Sequence, residues 1–228
     1  MTLVVALAGK DEIIIAAERL CLLGDTDGQY RSDISKIREM KGGITAGIAG
    51  ARSGLTLLER ANELTENNAS SKRKLIDAYA AKLAELYGRS YDEIKFLLCA
   101  VENSQPLLYI FGFNRQATFL PAEVTEGRVA VGLSKHGALH FLHTYHSRQM
   151  NTKELAFLAY FSIHQAIRND PRLKGPIDVY AIRSDSATQL QRETIDAIRA
   201  KCETTETAIG DTIRKVSLEL PTLIFDSQ

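Results

Sequence analysis

Cysteine and tryptophan are scarce in this chain. Among 228 residues there is no tryptophan, and cysteine occurs only as Cys21, Cys99 and Cys202. An odd number of widely spaced cysteines fits neither a disulfide framework nor the ligand spacing of a zinc site. We therefore expect a protein of the reducing cytoplasm.

Long apolar runs and an excess of one charge are also absent. No segment reaches the ~18 apolar residues of a membrane span, and Lys10, Asp11 and Glu12 interrupt the apolar N-terminal region. Neither a signal peptide nor a membrane interaction is expected. Lysine plus arginine number 28, as do aspartate plus glutamate, so net charge gives no attraction to nucleic acid. Peptide and small-molecule substrates remain open.

Two further motifs are incomplete. The segment Gly47–Gly54 follows a predicted strand, but its spacing is not that of a dinucleotide-binding loop, and no phosphate-binding G-x-x-x-x-G-K-[ST] motif occurs. His136, His140 and His143 share one face of a predicted helix. That geometry can hold a metal, yet H-E-x-x-H is missing, so we interpret the row as a solvated or subunit-facing surface.

The most informative residue is Thr2, at the start of a strand-like run. Removal of Met1 would give it a free α-amine beside its hydroxyl. The unperturbed pKa of an α-amine is about 7.7–8.0, so it can accept the hydroxyl proton near neutral pH. Thr2 would then combine a nucleophile with its own general base.

Two predicted hairpins bring charged groups towards Thr2. Leu3–Ala8 and Ile13–Ala17 flank the turn 9–12; pairing Ala8 with Glu12 would place Thr2 across from Glu18. Residues 36–40 and 44–48 flank a second turn, Lys41-Gly42-Gly43. Pairing across that turn sets Lys36 near Gly47, where the lysine would need a carboxylate partner such as Glu18.

These residues resemble a known family, the β-type subunits of the proteasome and their bacterial homologues, which are N-terminal-nucleophile hydrolases. The matching stretch runs from Thr2 to Gly54 and contains TLVVALAGKDEIIIAAER, SDISKIREM and ITAGIAGARSG. The resemblance implies that Thr2 is the nucleophile and Glu18 its acidic partner. It also implies an activating lysine at Lys36, an oxyanion glycine at Gly47 and a supporting arginine at Arg19.

The resemblance extends further along the chain through the order of elements. The family's Gly-Ser-Gly turn corresponds to residues 131–134, with Leu133 at the serine position, so Ser134 would take the serine's role. Asp170 corresponds to a supporting aspartate. The substrate-pocket residues that we expect are Cys21, Thr45 and Ala49.

The fold implied is α+β, a four-layer αββα sandwich of two antiparallel sheets between helix layers. We predict helices over 53–65, 71–88, 135–148 and 152–168, and strands over 94–101, 107–113, 117–120, 128–131 and 177–182. Residues 1–192 would form the domain. Residues 193–228 would form a helical extension with a Thr-rich break, packed on the same domain or a neighbour, and Leu218–Phe225 could add an edge strand.

The function implied is a threonine peptidase subunit of a self-compartmentalising complex. The resemblance implies homo-oligomeric stacked rings, for which we expect a tetradecamer, a peptide or unfolded-protein substrate, a possible unfoldase, and no metal or organic cofactor. Two alternatives stay open: a ring-forming scaffold without the chemistry, and an amidase that cleaves a non-peptide amide with the same nucleophile.

Overall fold

The computed structural model describes residues 2–23, 30–87, 93–113, 118–184 and 186–219. For 20–23, 30–32, 118–120 and 216–219 it describes the backbone alone. The strands are β1 (Leu3–Ala8), β2 (Ile13–Glu18), β3 (Leu20–Leu23), β4 (Tyr30–Asp33), β5 (Ile37–Met40), β6 (Ile44–Gly50), β7 (Ile94–Glu102), β8 (Gln105–Phe113), β9 (Thr118–Glu123), β10 (Arg128–Gly132), β11 (Ile177–Arg183) and β12 (Ser186–Gln189). The helices are α1 (Ser53–Leu64), α2 (Lys72–Tyr87), α3 (Lys135–Tyr145), α4 (Thr152–Asn169) and α5 (Arg192–Glu219).

Two antiparallel five-stranded sheets form the centre of the protein. The first has the strand order β10-β1-β2-β11-β12 and the second has the order β5-β6-β7-β8-β9, while β3 and β4 form a separate ladder. One apolar cluster lies between the sheets, a second packs α1 and α2 on the second sheet, and a third packs α3, α4 and the start of α5 on the first. This arrangement confirms the predicted αββα sandwich.

Strands β1 and β2 are apolar at nearly every position because both faces of the first sheet are covered. All six residues of each strand are buried, and a strand buried on both sides reads as a continuous apolar run rather than an alternating one. No helix in the described ranges is both long enough and apolar enough to cross a membrane.

The predicted register of the first hairpin is wrong by one residue. Ala8 pairs with Ile13, and Val4 pairs with Ala17. Glu12 belongs to the turn, where its carbonyl accepts a 2.8 Å hydrogen bond from Gly9 N–H. Its carboxylate is held outside the strand by Thr152 Oγ1 (2.6 Å) and Arg183 Nε (3.1 Å). These bonds fix Glu12 as the last turn residue.

The second hairpin has the predicted register. Met40 pairs with Ile44 and Ile37 pairs with Gly47, and Lys36 O accepts a 3.1 Å hydrogen bond from Ile48 N–H. The turn Lys41–Gly43 is a short 3-10 helix in which both glycines have positive φ, 73° for Gly42 and 69° for Gly43. A left-handed backbone of this kind favours glycine.

Helix α5 is continuous over 28 residues, so the Thr-rich break that we predicted is wrong. The threonine hydroxyls donate hydrogen bonds to the carbonyls four residues earlier, so each hydroxyl has an acceptor within the helix. These threonines are Thr204, Thr205, Thr207 and Thr212. The predicted edge strand is wrong at residues 218 and 219, which are helical, and its remainder lies outside the described residues.

Candidate active site

The predicted charged residues meet at one end of the gap between the two sheets. On the first sheet, Thr2 precedes β1, Glu18 ends β2 and Gly132 ends β10. Neighbouring antiparallel strands run in opposite directions, so these three positions share one edge. On the second sheet, Lys36 precedes β5 and Gly50 ends β6, which places them at the facing edge.

A buried ion pair joins the two sheets beside Thr2. Lys36 Nζ lies 2.9 Å from Glu18 Oε1, and both side chains are buried. The lysine is carried by the second sheet and the carboxylate by the first, so the predicted pairing is present despite the shifted hairpin register. A pair buried in this way is retained only when its geometry compensates for lost hydration.

The backbone of Thr2 is fixed by the end of β10. Thr2 O accepts a 2.8 Å hydrogen bond from Leu133 N–H. Gly132 has a φ of 107°, and a Cβ there would lie 1.9 Å from Thr2 O. Only glycine permits this approach. The Thr2 side chain is buried at this end of the gap.

A cavity of about 240 Å³ opens onto Thr2. It is lined by Thr2, Ala49, Gly50, Glu93, Lys95, Gly132 and Leu133. Three larger cavities, of about 660, 530 and 480 Å³, lie beside α5 and do not include Thr2. A reaction of the Thr2 hydroxyl with a substrate would therefore take place in the small cavity.

The structure does not bring Gly47 to this cavity. Gly47 lies inside the ladder, opposite Ile37 on β5 and Leu97 on β7. A Cβ there would meet Val4 Cγ1 at 2.7 Å in the packing between the sheets. Gly50 lines the cavity instead, with a φ of 116°.

Ser134 and Asp170 lie together next to the Gly132–Leu133 turn. Ser134 Oγ donates a 2.5 Å hydrogen bond to Asp170 Oδ2, and Arg172 donates to both carboxylate oxygens at 2.8 Å. The Arg172 hydrogen bonds, followed by that from Ser134, hold the pKa of Asp170 well below its usual range. Asp170 is thus an anion that fastens the end of α4 to the turn that holds Thr2.

Arg19 supports the strand end that carries Glu18. Its Nε lies 2.6 Å from Asp33 Oδ1 and its Nη1 lies 3.4 Å from Asp178 Oδ1. The backbone N–H of Arg19 donates a 3.0 Å hydrogen bond to Pro176 O. Asp178 was not predicted, although a single acidic residue inside the apolar segment Ile177–Ile182 is itself a signal of a buried ion pair.

The three residues predicted to form the substrate pocket differ in where the structure places them. Ala49 lines the cavity, whereas Thr45 is buried deeper in β6, opposite Cys99. The side chain of Cys21 lies outside the described residues. Glu93 and Lys95 were not predicted, because no sequence motif includes them. They line the cavity because β7 pairs with β6.

The three aligned histidines of α3 are exposed. His143 Nδ1 accepts a 2.9 Å hydrogen bond from Arg128 Nε. Within the described ranges, no group of three or more His, Cys, Asp or Glu residues is placed to hold a metal ion. The exposed row agrees with the solvated or subunit-facing interpretation.

Comparison with protein-family models gives no match, and comparison with curated proteins gives none either. Solved structures do match. A structure titled as a Gly-1 mutant of Anbu from Hyphomicrobium sp. strain MC1 has a TM-score of 0.75 and 15% identity, covering 99% of this chain and 100% of that one. Anbu from the same strain gives 0.74 and 14%, with coverage of 98% and 100%.

Anbu, the ancestral β-subunit, from Yersinia bercovieri gives a TM-score of 0.69 and 16% identity, again with coverage of 98% and 100%. The expected resemblance is therefore confirmed in the fold, over almost the whole length of both chains. The protein has the fold of the Anbu proteins, one of which is described as an ancestral β-subunit.

Proposed function

We propose that this protein is a threonine-type peptidase subunit in which Thr2 becomes the N-terminal residue and attacks a peptide carbonyl. The observation that carries the proposal is the Glu18–Lys36 ion pair, buried between the two sheets beside a threonine that lines a cavity. A threonine with a purely structural role would need neither a buried ammonium nor a cavity next to it.

The chemistry is acyl transfer. Once Met1 is removed, the α-amine of Thr2 accepts the hydroxyl proton as the oxygen attacks the carbonyl carbon. The Lys36 ammonium favours the alkoxide form of the nucleophile. The α-amine then gives its proton to the departing nitrogen, which leaves an ester on Thr2, and water hydrolyses that ester.

We assign the oxyanion donor to Gly50. Successive N–H groups along a strand point in alternate directions, so Gly50 N–H points the same way as Ile48 N–H, which donates to Lys36 O. Strand β5 begins opposite Gly47, so Gly50 lies beyond the end of its partner strand. Its N–H is therefore available to a negatively charged oxygen, and no side chain blocks the approach.

We further propose that the subunits assemble into closed stacked rings of the kind expected from the family resemblance, with fourteen subunits as the expected number. The chain leaves apolar side chains exposed on α3 and α5, including Tyr145, Ile209 and Ile213. Exposed apolar groups of this size mark interaction surfaces. A chamber would restrict the site to unfolded chains or peptides, supplied by an unfoldase or by diffusion.

The test combines intact mass with two substitutions. We expect the native protein to lack Met1, and Thr2→Ser to retain measurable hydrolysis of a casein or fluorogenic-peptide substrate because it keeps a hydroxyl. Thr2→Ala should lose at least about a hundredfold, since removing a nucleophile costs several orders of magnitude. Both variants should have the circular dichroism spectrum and sedimentation profile of the wild type.

Hydrolysis by the alanine variant at a rate within tenfold of the wild type would contradict the assignment of Thr2. A native protein that keeps Met1, assembles normally and cleaves no amide would support the scaffold alternative. Cleavage of small amides without cleavage of peptides would support the amidase alternative.

A further inference from the structure

Lys95 occupies a position at the cavity that the chemistry described above does not use. Leu97, Cys99 and Val101 alternate along β7 and pack between the two sheets. Lys95 continues that row, so it faces the first sheet at the mouth of the gap. Its partner in the ladder is Ala49, and both residues line the Thr2 cavity.

The ladder at the end of β10 shows which half of a substrate would meet this lysine. Leu133 N–H donates to Thr2 O, and residues that are hydrogen-bonded across an antiparallel pair direct both N–H and C=O towards the partner strand. The nitrogen of Thr2 therefore also faces β10. In the proposed reaction this nitrogen protonates the leaving group, so the leaving group lies on the side of Leu133 and Lys95.

The opposite side of Thr2 is already occupied by the buried pair of Glu18 and Lys36. At about 240 Å³, the cavity is smaller than the roughly 300–1,000 Å³ of typical small-molecule sites. It suits one residue next to the scissile bond better than a longer stretch of chain.

The charges that line the described part of this cavity are Lys95 and Glu93. Lys95 Nζ lies 2.8 Å from Glu93 Oε1, and the lysine side chain is 30% exposed against 65% for the glutamate. Lys95 is thus the inner group and Glu93 the outer, solvated one. The hydrogen bond and charge of Lys95, with a smaller effect of Lys135, lower the pKa of Glu93.

An ammonium carries three N–H donors, and the bond to Glu93 uses one. The remaining donors of Lys95 can bind an anion inside the cavity. Because Glu93 is the outer, solvated member of the pair, an anion inside the cavity meets the ammonium rather than the carboxylate. A carboxylate is the anionic group that peptides contain.

Building on the proposed peptidase function, we propose that Lys95 and Leu133 form a leaving-group subsite that selects a carboxylate. The carboxylate comes either from the side chain of the residue after the scissile bond or from the C-terminus of a leaving group that is one residue long. Leu133 provides the apolar wall on which the stem of that residue packs, and Lys95 binds its charge.

The test uses matched peptides that share all residues before the scissile bond. One pair carries Glu or Gln as the first residue after it, and a second pair ends there in a free or an amidated carboxyl group. We expect the wild type to cleave the member with the extra carboxylate with a kcat/KM about twofold to fivefold higher, the range of an exposed ion pair. The pair that shows the preference identifies the source of the carboxylate.

Lys95→Gln should remove this preference and Lys95→Glu should reverse it towards a lysine-containing leaving group. Lys82→Gln is the matched control, because Lys82 is 29% exposed and forms a similar pair with Glu85 on α2. Equal wild-type rates for both members of both pairs, an unchanged ratio in Lys95→Gln, or a wild-type preference for lysine would each overturn the proposal.

Failure of the peptidase function is separated from failure of the subsite by a binding measurement. In a Thr2→Ala background, fluorescence anisotropy of the same peptides reports affinity without turnover. Tighter binding of the carboxylate peptides that is lost with Lys95→Gln supports the subsite even if no peptide is cleaved. Equal affinity of Thr2→Ala for the carboxylate peptides and their neutral counterparts overturns it, as does a preference that persists in Thr2→Ala/Lys95→Gln.

Discussion

At the scale of single residues, the pair of Glu18 and Lys36 is the feature on which the proposed chemistry depends most. We predict that Lys36→Met lowers the free energy of unfolding by about 3 kcal/mol, because it leaves a buried carboxylate without its ammonium. Activity should be lost as well. Chemical denaturation and peptide hydrolysis, measured on the same sample, check the two effects.

The double variant Glu18→Gln/Lys36→Met provides the control for that substitution. It removes both charges, so part of the lost stability should return while hydrolysis stays absent. A Lys36→Met protein as stable as the wild type, or a double variant no more stable than the single one, would show that the ion pair contributes little to the fold.

We expect alanine substitution at Gly50 to affect turnover and alanine substitution at Gly47 to affect stability. A Cβ at Gly50 would lie 2.1 Å from Glu93 O, and its φ of 116° is unfavourable for any other residue. Gly50→Ala should therefore displace the N–H that we assign to the oxyanion and reduce kcat by at least about tenfold, as loss of one oxyanion donor does in other hydrolases.

Gly47→Ala should instead reduce stability by about 1–3 kcal/mol through overpacking and leave kcat of the folded protein near the wild-type value. Its Cβ would meet side-chain ends of Val4 and Ile15, at 2.7 and 3.0 Å, rather than backbone. Thermal unfolding together with kcat separates the two outcomes. A folded Gly47→Ala protein without turnover, beside an active Gly50→Ala protein, would return the assignment to Gly47.

The sequence predicted the pairing of Glu18 with Lys36, but it did not predict that Gly50 rather than Gly47 lines the cavity. Lys36 and Glu18 could be paired because the second hairpin has a short, glycine-marked turn that fixes its register. The position of a free N–H that could bind an oxyanion depends on where one strand extends beyond the end of its partner strand. That boundary is set by how β5 begins after Lys36, which apolar periodicity does not encode.

At the scale of elements, Asp170 links the end of α4 to the turn after β10. Its pKa in the folded protein is below the value of about 3.9 expected for an unfolded aspartate. The stabilisation it provides is thus complete above about pH 5 and is lost as the pH falls through about 4 towards the folded pKa. Asp170→Asn should make the denaturation midpoint less dependent on pH between about 5 and 2.

Denaturation midpoints at a series of pH values check this effect, with Asp211→Asn as the control. Asp211 is an exposed carboxylate on α5 that lies 3.3 Å from Arg214 Nη1. If both variants lose stability with acid as steeply as the wild type, Asp170 does not act as a fastening between the two elements.

Most helices and strands follow from apolar periodicity, and the errors lie where side chains act on the backbone. The turn after β1 includes Glu12 because Thr152 and Arg183 bind its carboxylate. Helix α5 continues through its threonines, whose hydroxyls bond to carbonyls of the preceding turn. The contacts of Glu12 join residues far apart in the sequence, which a local pattern does not contain.

At the scale of the whole molecule, α5 carries two of the four large apolar side chains that are exposed in the described part of the chain. Ile209 is 49% exposed and Ile213 is 63% exposed, and Ile209 also lines the apolar cavity of about 530 Å³. We predict that Ile209→Glu/Ile213→Glu shifts the sedimentation profile to smaller species, because charge on a buried contact opposes association.

Thr207→Glu is the matched control, since Thr207 is exposed on the same helix. It should leave the sedimentation profile unchanged. The thermal unfolding of the double variant, measured at equal dilution, should stay near that of the wild type. An unaltered size distribution in the double variant would show that assembly, if present, uses another surface.

The position of β1 has a consequence for the order in which the protein is synthesised. Thr2 is synthesised long before most of the sheet that surrounds it, since Leu3 pairs with Gly132, and the next strand beyond β2 is β11, which begins at Ile177. The nascent chain must therefore emerge almost completely before the first sheet can close around its own beginning. A half-made chain has the threonine but neither its oriented nitrogen nor its cavity, so the order of translation delays the proposed site until the chain is almost complete.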